Sequence, residues 1–126
     1  MTPDDIAAWI AGYERAWRTP GTAALAELFA PDATYSPAPF AESLDGLKAI
    51  AEFWEAERDG PDEVFTLAAE IVAVDGRVGV ARLEVRYGAP LIRTYRDLWV
   101  VTLDADGRCT AFEEWPFFPD RPRVAP

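Results

Sequence analysis

Residues 64–87, VFTLAAEIVAVDGRVGVARLEVRY, decide the fold. From Val64 to Val74 and again from Val78 to Tyr87 the side chains alternate with period two, as strands with one covered face do. Asp75-Gly76 between them is a strong signal for a tight hairpin turn. In the second run Ala81, Leu83, Val85 and Tyr87 fall on one face and Arg82, Glu84 and Arg86 on the other. An antiparallel sheet with one covered face reads this way.

Downstream the texture persists. Gly88-Ala89-Pro90 turns the chain into a third long strand, Leu91 to Leu103. Asp104-Ala105-Asp106-Gly107 forms a longer turn, and Arg108 to Phe118 is the last strand. Asp104 and Asp106 resemble a calcium loop only superficially, and a plain turn accounts for them. The tail, residues 119–126, carries three prolines and reads as an arm or as disordered.

Upstream the period is helical. Thr2, Pro3 and Asp5 supply a cap, a proline at the first turn and an early carboxylate. Ile6, Trp9, Ile10, Tyr13 and Trp17 then form one apolar stripe, ended by Thr19-Pro20-Gly21. A short helix is expected over Thr22–Ala30, with Leu25, Leu28 and Phe29 inward, and a brief strand over Ala33–Ser36. Asp45 caps a third helix carrying Leu47, Ile50, Phe53 and Trp54, which stops at Asp59-Gly60-Pro61. Helices first and a strand meander second argue an α+β fold. Three N-terminal helices pack in the concave face of a curved, mostly antiparallel sheet. No repeat or linker divides residues 1–126, so one domain is expected.

Composition narrows the chemistry. Twelve basic residues against twenty-two acidic ones leave a net charge of −10, which repels nucleic-acid backbones and anionic membrane surfaces. Histidine is absent and there is one cysteine, so zinc sites and the common Ser-His and Cys-His pairs are ruled out. With no signal peptide, no ~20-residue apolar span and no disulfide, a cytoplasmic protein without metal or cofactor is expected.

Proton chemistry then falls to Asp, Glu or Tyr. Tyr95, Asp97 and Trp99 share one strand face, and Arg96 lies on the other. Glu113 and Glu114 are adjacent, so one of them points toward the covered side. A carboxyl among Trp and Phe has its pKa raised unless a cation pairs with it. Arg82 and Arg96 are the candidate cations, and a buried Arg–Glu pair that only sets register stays open beside a functional site. Tyr13, Trp17, Tyr35, Trp54, Trp99 and Trp115 come from five different elements, and the polar tips of such rings suit a partly polar, ring-lined pocket. Arg82, Glu84, Arg96 and Glu114 complete the candidate binding set.

The stretch Leu28-Phe29-Ala30-Pro31-Asp32-Ala33-Thr34-Tyr35, the helix start Gly46-Leu47-Lys48-Ala49-Ile50, Tyr95-Arg96-Asp97-Leu98-Trp99 and Phe112-Glu113-Glu114-Trp115-Pro116 resemble the nuclear transport factor 2-like superfamily, in its SnoaL-like branch. The resemblance implies a cone-shaped domain with a cavity at its wide end, pairing of two copies through the sheet, and polyketide- or steroid-like apolar ligands. It also implies proton transfer next to a carbonyl, as in polyketide cyclases and ketosteroid isomerases, the latter using an Asp base with a Tyr and a protonated Asp as oxyanion donors. Tyr13 matches the oxyanion tyrosine and Asp97 the acidic strand position. The position of the isomerase base, three residues after Thr34, holds Pro37. The expected catalytic set is Asp97, Tyr13 and Glu113. A lyase or isomerase, a binding module without chemistry and a dimeric scaffold with a filled core remain the three alternatives.

Overall fold

The computed structural model describes residues 1–58 and 64–119. Helix α1 (Pro3–Arg18) opens with a capping box, in which the Thr2 hydroxyl accepts from the Asp5 amide and the Asp5 carboxylate accepts from the Thr2 amide. Its stripe Ile6, Trp9, Ile10, Tyr13 and Ala16 is buried.

Helix α2 is a single turn (Leu25–Leu28), shorter than the expected Thr22–Ala30. Strand β1 (Phe29–Ser36) begins at once and incorporates Pro31. Pro31 lacks an amide donor and cannot continue a helix, and Phe29 is pulled into the core with no exposed surface. A two-residue strand that the sequence did not signal, β2 (Leu44–Asp45), pairs with β1 and sets Asp45 opposite Thr34. Asp45 is therefore a strand residue, and the cap of α3 (Leu47–Glu57) is Gly46 at φ 89°. That left-handed backbone suits glycine. The expected stop at Asp59-Gly60-Pro61 lies outside the described residues, as does the tail beyond Pro119.

Strands β3 (Phe65–Asp75), β4 (Val78–Tyr87), β5 (Arg93–Leu103) and β6 (Cys109–Phe117) form an antiparallel meander. β5 starts two residues later than expected, because Ile92 donates its amide to the Tyr87 carbonyl and closes the connecting turn. The sheet order is β2-β1-β6-β5-β4-β3, with β1 parallel to β6 and every other pair antiparallel. The helices cover one face. The core runs from Ile6, Trp9 and Tyr13 on α1 through Ile50 and Trp54 on α3 to Ala81, Leu83, Trp99, Val101 and Phe112 on the sheet. The α+β architecture is the expected one.

Candidate functional site

Alternation decides which side chains meet. On β5, Asp97, Trp99, Val101 and Leu103 face the helices and are buried. On β6 the covered face carries Phe112, Glu114 and Pro116. Trp99 pairs directly with Glu114 and Asp97 with Pro116, so Asp97 and Glu114 are diagonal neighbours on one face. Tyr35 on β1 stands beside Phe112 in the parallel register. Tyr13 descends from α1 against Trp99, with ring centres 4.6 Å apart.

These groups form a hydrogen-bonded chain. The Tyr13 and Tyr35 hydroxyls are 3.1 Å apart. Tyr35 Oη donates to Glu114 Oε1 at 3.5 Å. Asp97 and Glu114, diagonal neighbours on this face, influence each other's protonation, and Trp99 Nε1 donates to Asp97 Oδ2 at 3.2 Å. Asp97 is only 3% exposed, and its Oδ1 has no hydrogen-bond partner among the described residues. An orphaned buried oxygen costs about 1–3 kcal/mol, more when charged. A proton held between the two carboxyls removes that cost. Burial raises both acids above their ordinary values, and the Asp97 carboxylate raises Glu114 further, so the pair favours keeping a proton. Burial likewise raises Tyr13 and Tyr35, which stay neutral donors.

The chain ends at a pocket of about 420 Å³. Tyr13, Trp17, Tyr35, Trp99 and Glu114 of the expected set line it. Asp97 lies behind Glu114. Trp54 is fully buried beneath the wall, its ring 4.9 Å from Tyr13 and 4.8 Å from Trp17. The remaining expected residues are on the opposite face of the sheet. Arg82 is exposed and paired with Glu70 at 2.8 Å, Arg86 meets Glu84 at 3.4 Å, and Arg96 is exposed. Trp115 is 41% exposed and donates to Glu113 at 3.2 Å. Glu113, Glu84, Arg82, Arg96 and Trp115 are thus corrected to outward positions, since each is one residue out of phase with the covered set. Neither candidate cation therefore pairs with the two carboxyls.

The pocket also takes in Phe65, Tyr87, Tyr95, Glu57, Arg93 and Pro37, which the expected set omitted. Tyr87 and Tyr95 were within reach, being in phase with Val85 and Asp97. Phe65, Glu57 and Pro37 come together only through packing of β3, α3 and the β1–β2 connection. A larger groove of about 770 Å³ runs between α1 and the β5–β6 turn, with Arg15, Glu27, Arg77 and Asp104 along it. It holds no comparable buried acid. Among the described residues no cluster of three or more His, Cys, Asp or Glu is placed to hold a metal ion, and no helix is long and apolar enough to cross a membrane.

Comparison with known proteins follows this geometry. The SnoaL-like domain family matches residues 9–112. The chain belongs to that family, within the nuclear transport factor 2-like superfamily. Solved structures of the same fold include a steroid delta-isomerase from Pseudomonas aeruginosa, at TM-score 0.66 and 22% identity over 92% of this chain and 82% of that one. Another is Rv0760c from Mycobacterium tuberculosis, at TM-score 0.72 and 14% identity over 95% and 96%. A third is a candidate polyketide cyclase from Sinorhizobium meliloti, at TM-score 0.64 and 24% identity over 90% and 94%. No curated protein matches this SnoaL-like chain.

Proposed function

We propose that this SnoaL-like protein binds a small, largely apolar carbonyl compound in the pocket and moves a proton at the carbon next to the carbonyl. The observation that carries the reading is the buried carboxyl pair with its orphaned Asp97 Oδ1, joined through Tyr35 to Tyr13 at the pocket floor. The pair holds one proton and one negative charge. Passing that proton from Glu114 to Asp97 leaves a Glu114 carboxylate facing the ligand. Glu114 then takes the α-proton, and the C–H electron pair moves into the carbonyl to give an enolate. The Tyr13 hydroxyl turns from Tyr35 to donate to the enolate oxygen, and Glu114 returns the proton at the same or a conjugated carbon. In a desolvated site such donors act more strongly than in water. Glu114 is the proposed proton carrier and Tyr13 the proposed oxyanion donor. Asp97 is a positioning residue that sets the protonation of Glu114.

The steroid and polyketide character of relatives supports ketone probes. Wild type is expected to accelerate deuterium exchange at the α-carbons of steroid and polyketide-fragment ketones, followed by NMR. Glu114→Gln is expected to lose at least ~100-fold, within the range of a general acid–base group. A second reading, binding without turnover, draws on Pro37 in the pocket wall, where a base would stand in an isomerase. Ketones that raise the melting temperature of wild type with no exchange would establish that reading in place of the first. A ligand at a hundred times its Kd adds about 2.7 kcal/mol.

Pairing of two copies through the sheet belongs to the same proposal. The outward face carries Trp115 and Phe117, 41% and 60% exposed, with Leu98 paired to Trp115.

A further inference from the structure

The pocket combines aromatic rings with two buried carboxyls, Glu114 and Asp97, that make no ion pair among the described residues. Tyr13, Trp17, Phe65, Tyr87, Tyr95 and Trp99 present rings to it. Three of those rings already attract a cation: the Arg93 guanidinium sits 4.5 Å over Tyr87, that of Arg18 3.9 Å over Phe65, and that of Arg58 6.0 Å over Trp17. The charges facing the pocket come from four elements, α1, α3, β5 and β6. Glu14 on α1 is paired with Arg18 at 2.9 Å. Glu57 on α3 and Arg93 on β5 line the pocket. Glu114 on β6 lies at its floor with Asp97 on β5 behind it. Among the described residues no Lys or Arg makes an ion pair with Asp97 or Glu114.

We propose that the pocket selects a molecule whose apolar body carries a positively charged amine, with the ammonium group seated against Glu114 and the ring faces. This rests on the same pocket as the proton-transfer reading and narrows its substrate to a cationic carbonyl compound. Ring faces attract an ammonium through their quadrupole. A carboxyl pair that no described Lys or Arg pairs with gains a counter-charge from such a ligand. An anionic ligand of the same shape meets repulsion from Glu57 and from the pair. The arrangement also links binding to protonation: a fixed positive charge beside Glu114 favours its ionised form, so binding expels the proton shared with Asp97.

The test uses benzyltrimethylammonium and its uncharged isostere neopentylbenzene, titrated calorimetrically into the full chain at pH 7 in two buffers of different ionisation enthalpy. Wild type is expected to bind the ammonium at least tenfold more tightly than the hydrocarbon and to release protons as it does so. Glu114→Gln is expected to abolish the proton release. Tyr87→Leu is expected to weaken the ammonium severalfold and leave the hydrocarbon unchanged, which keeps the test decisive if Glu114→Gln folds poorly. Equal or tighter binding of the hydrocarbon overturns the inference, as does ammonium binding without proton release, or binding of neither probe. Proton exchange on neutral ketones alongside a preference for the hydrocarbon would sink this inference alone. A preference for the ammonium with no exchange on any ketone, cationic ones included, would sink the proton-transfer reading alone.

Discussion

Burial makes Asp97 and Glu114 hold their protons to higher pH in the folded chain than in the unfolded one. Their folded values lie above the ordinary 3.8 and 4.5, burial being the first cause of each. The stability they contribute is complete below the ordinary carboxylate range and is lost as pH rises through the folded values. Asp5 acts in the opposite sense. The Thr2 amide lowers its value, so its contribution is present above 3.8 and disappears only in stronger acid. Thermal melts of wild type are therefore expected to lose stability as pH rises above the ordinary carboxylate range, and Glu114→Gln is expected to flatten that slope. An equal slope in both proteins would refute the shared proton. Cys109 gives a second prediction. Burial pushes its thiol up to about 12, so iodoacetamide at pH 8 is expected to leave the native chain unmodified and to alkylate it only after unfolding.

At the scale of elements, α1 is held to the rest at both ends. Near its start, Ile6 sits against Gly79 of β4 so closely that an added Cβ would stand 2.4 Å from Ile6 Cγ1. Both residues are in the core region, and neither backbone can withdraw without moving its neighbours. Gly79→Ala is expected to cost about 1–3 kcal/mol, the usual cost of overpacking. Chemical denaturation should show it, with part of the loss recovered when Ile6→Val trims the facing side chain. Near the end of α1, Arg58 after α3 donates to the carbonyls of Thr19 at 2.7 Å and Gly21 at 2.8 Å and meets Glu55. Its side chain is only 8% exposed. Arg58→Met keeps the stem and removes these charged donors. It is expected to cost about 1.5–3 kcal/mol by the same measurement, and an unchanged midpoint would show that the clamp contributes nothing.

At the scale of the molecule, the outward sheet face is the candidate contact between two copies. Sedimentation of wild type is expected to give a dimer, and Trp115→Arg a monomer of unchanged fold; a wild-type monomer at high concentration would end that proposal. The strand meander, the α1 stripe with its capping box and the α+β order were all legible in the residues, because periods of two and 3.6 record which side of each element is covered. Asp97, Trp99 and Tyr13 were legible as a potential site for the same reason. The short span of α2 and the role of Asp45 were not, since Phe29 and Asp45 answer to the sheet rather than to local propensity. Nor could the choice between Glu113 and Glu114 be read locally: Phe112 lies in phase with one, and Trp115 and Phe117 with the other, so rings accompany both faces. Pairing β6 with β5 decided it, by setting Glu114 opposite Trp99 and Glu113 opposite Val100. The amino-acid sequence by itself determined the elements, the alternation and the acids available. Only the tertiary structure decided which acids share a proton and which rings surround them, because burial and hydrogen bonding belong to a side chain's neighbours across the sheet and helices, and those neighbours are distant in the chain.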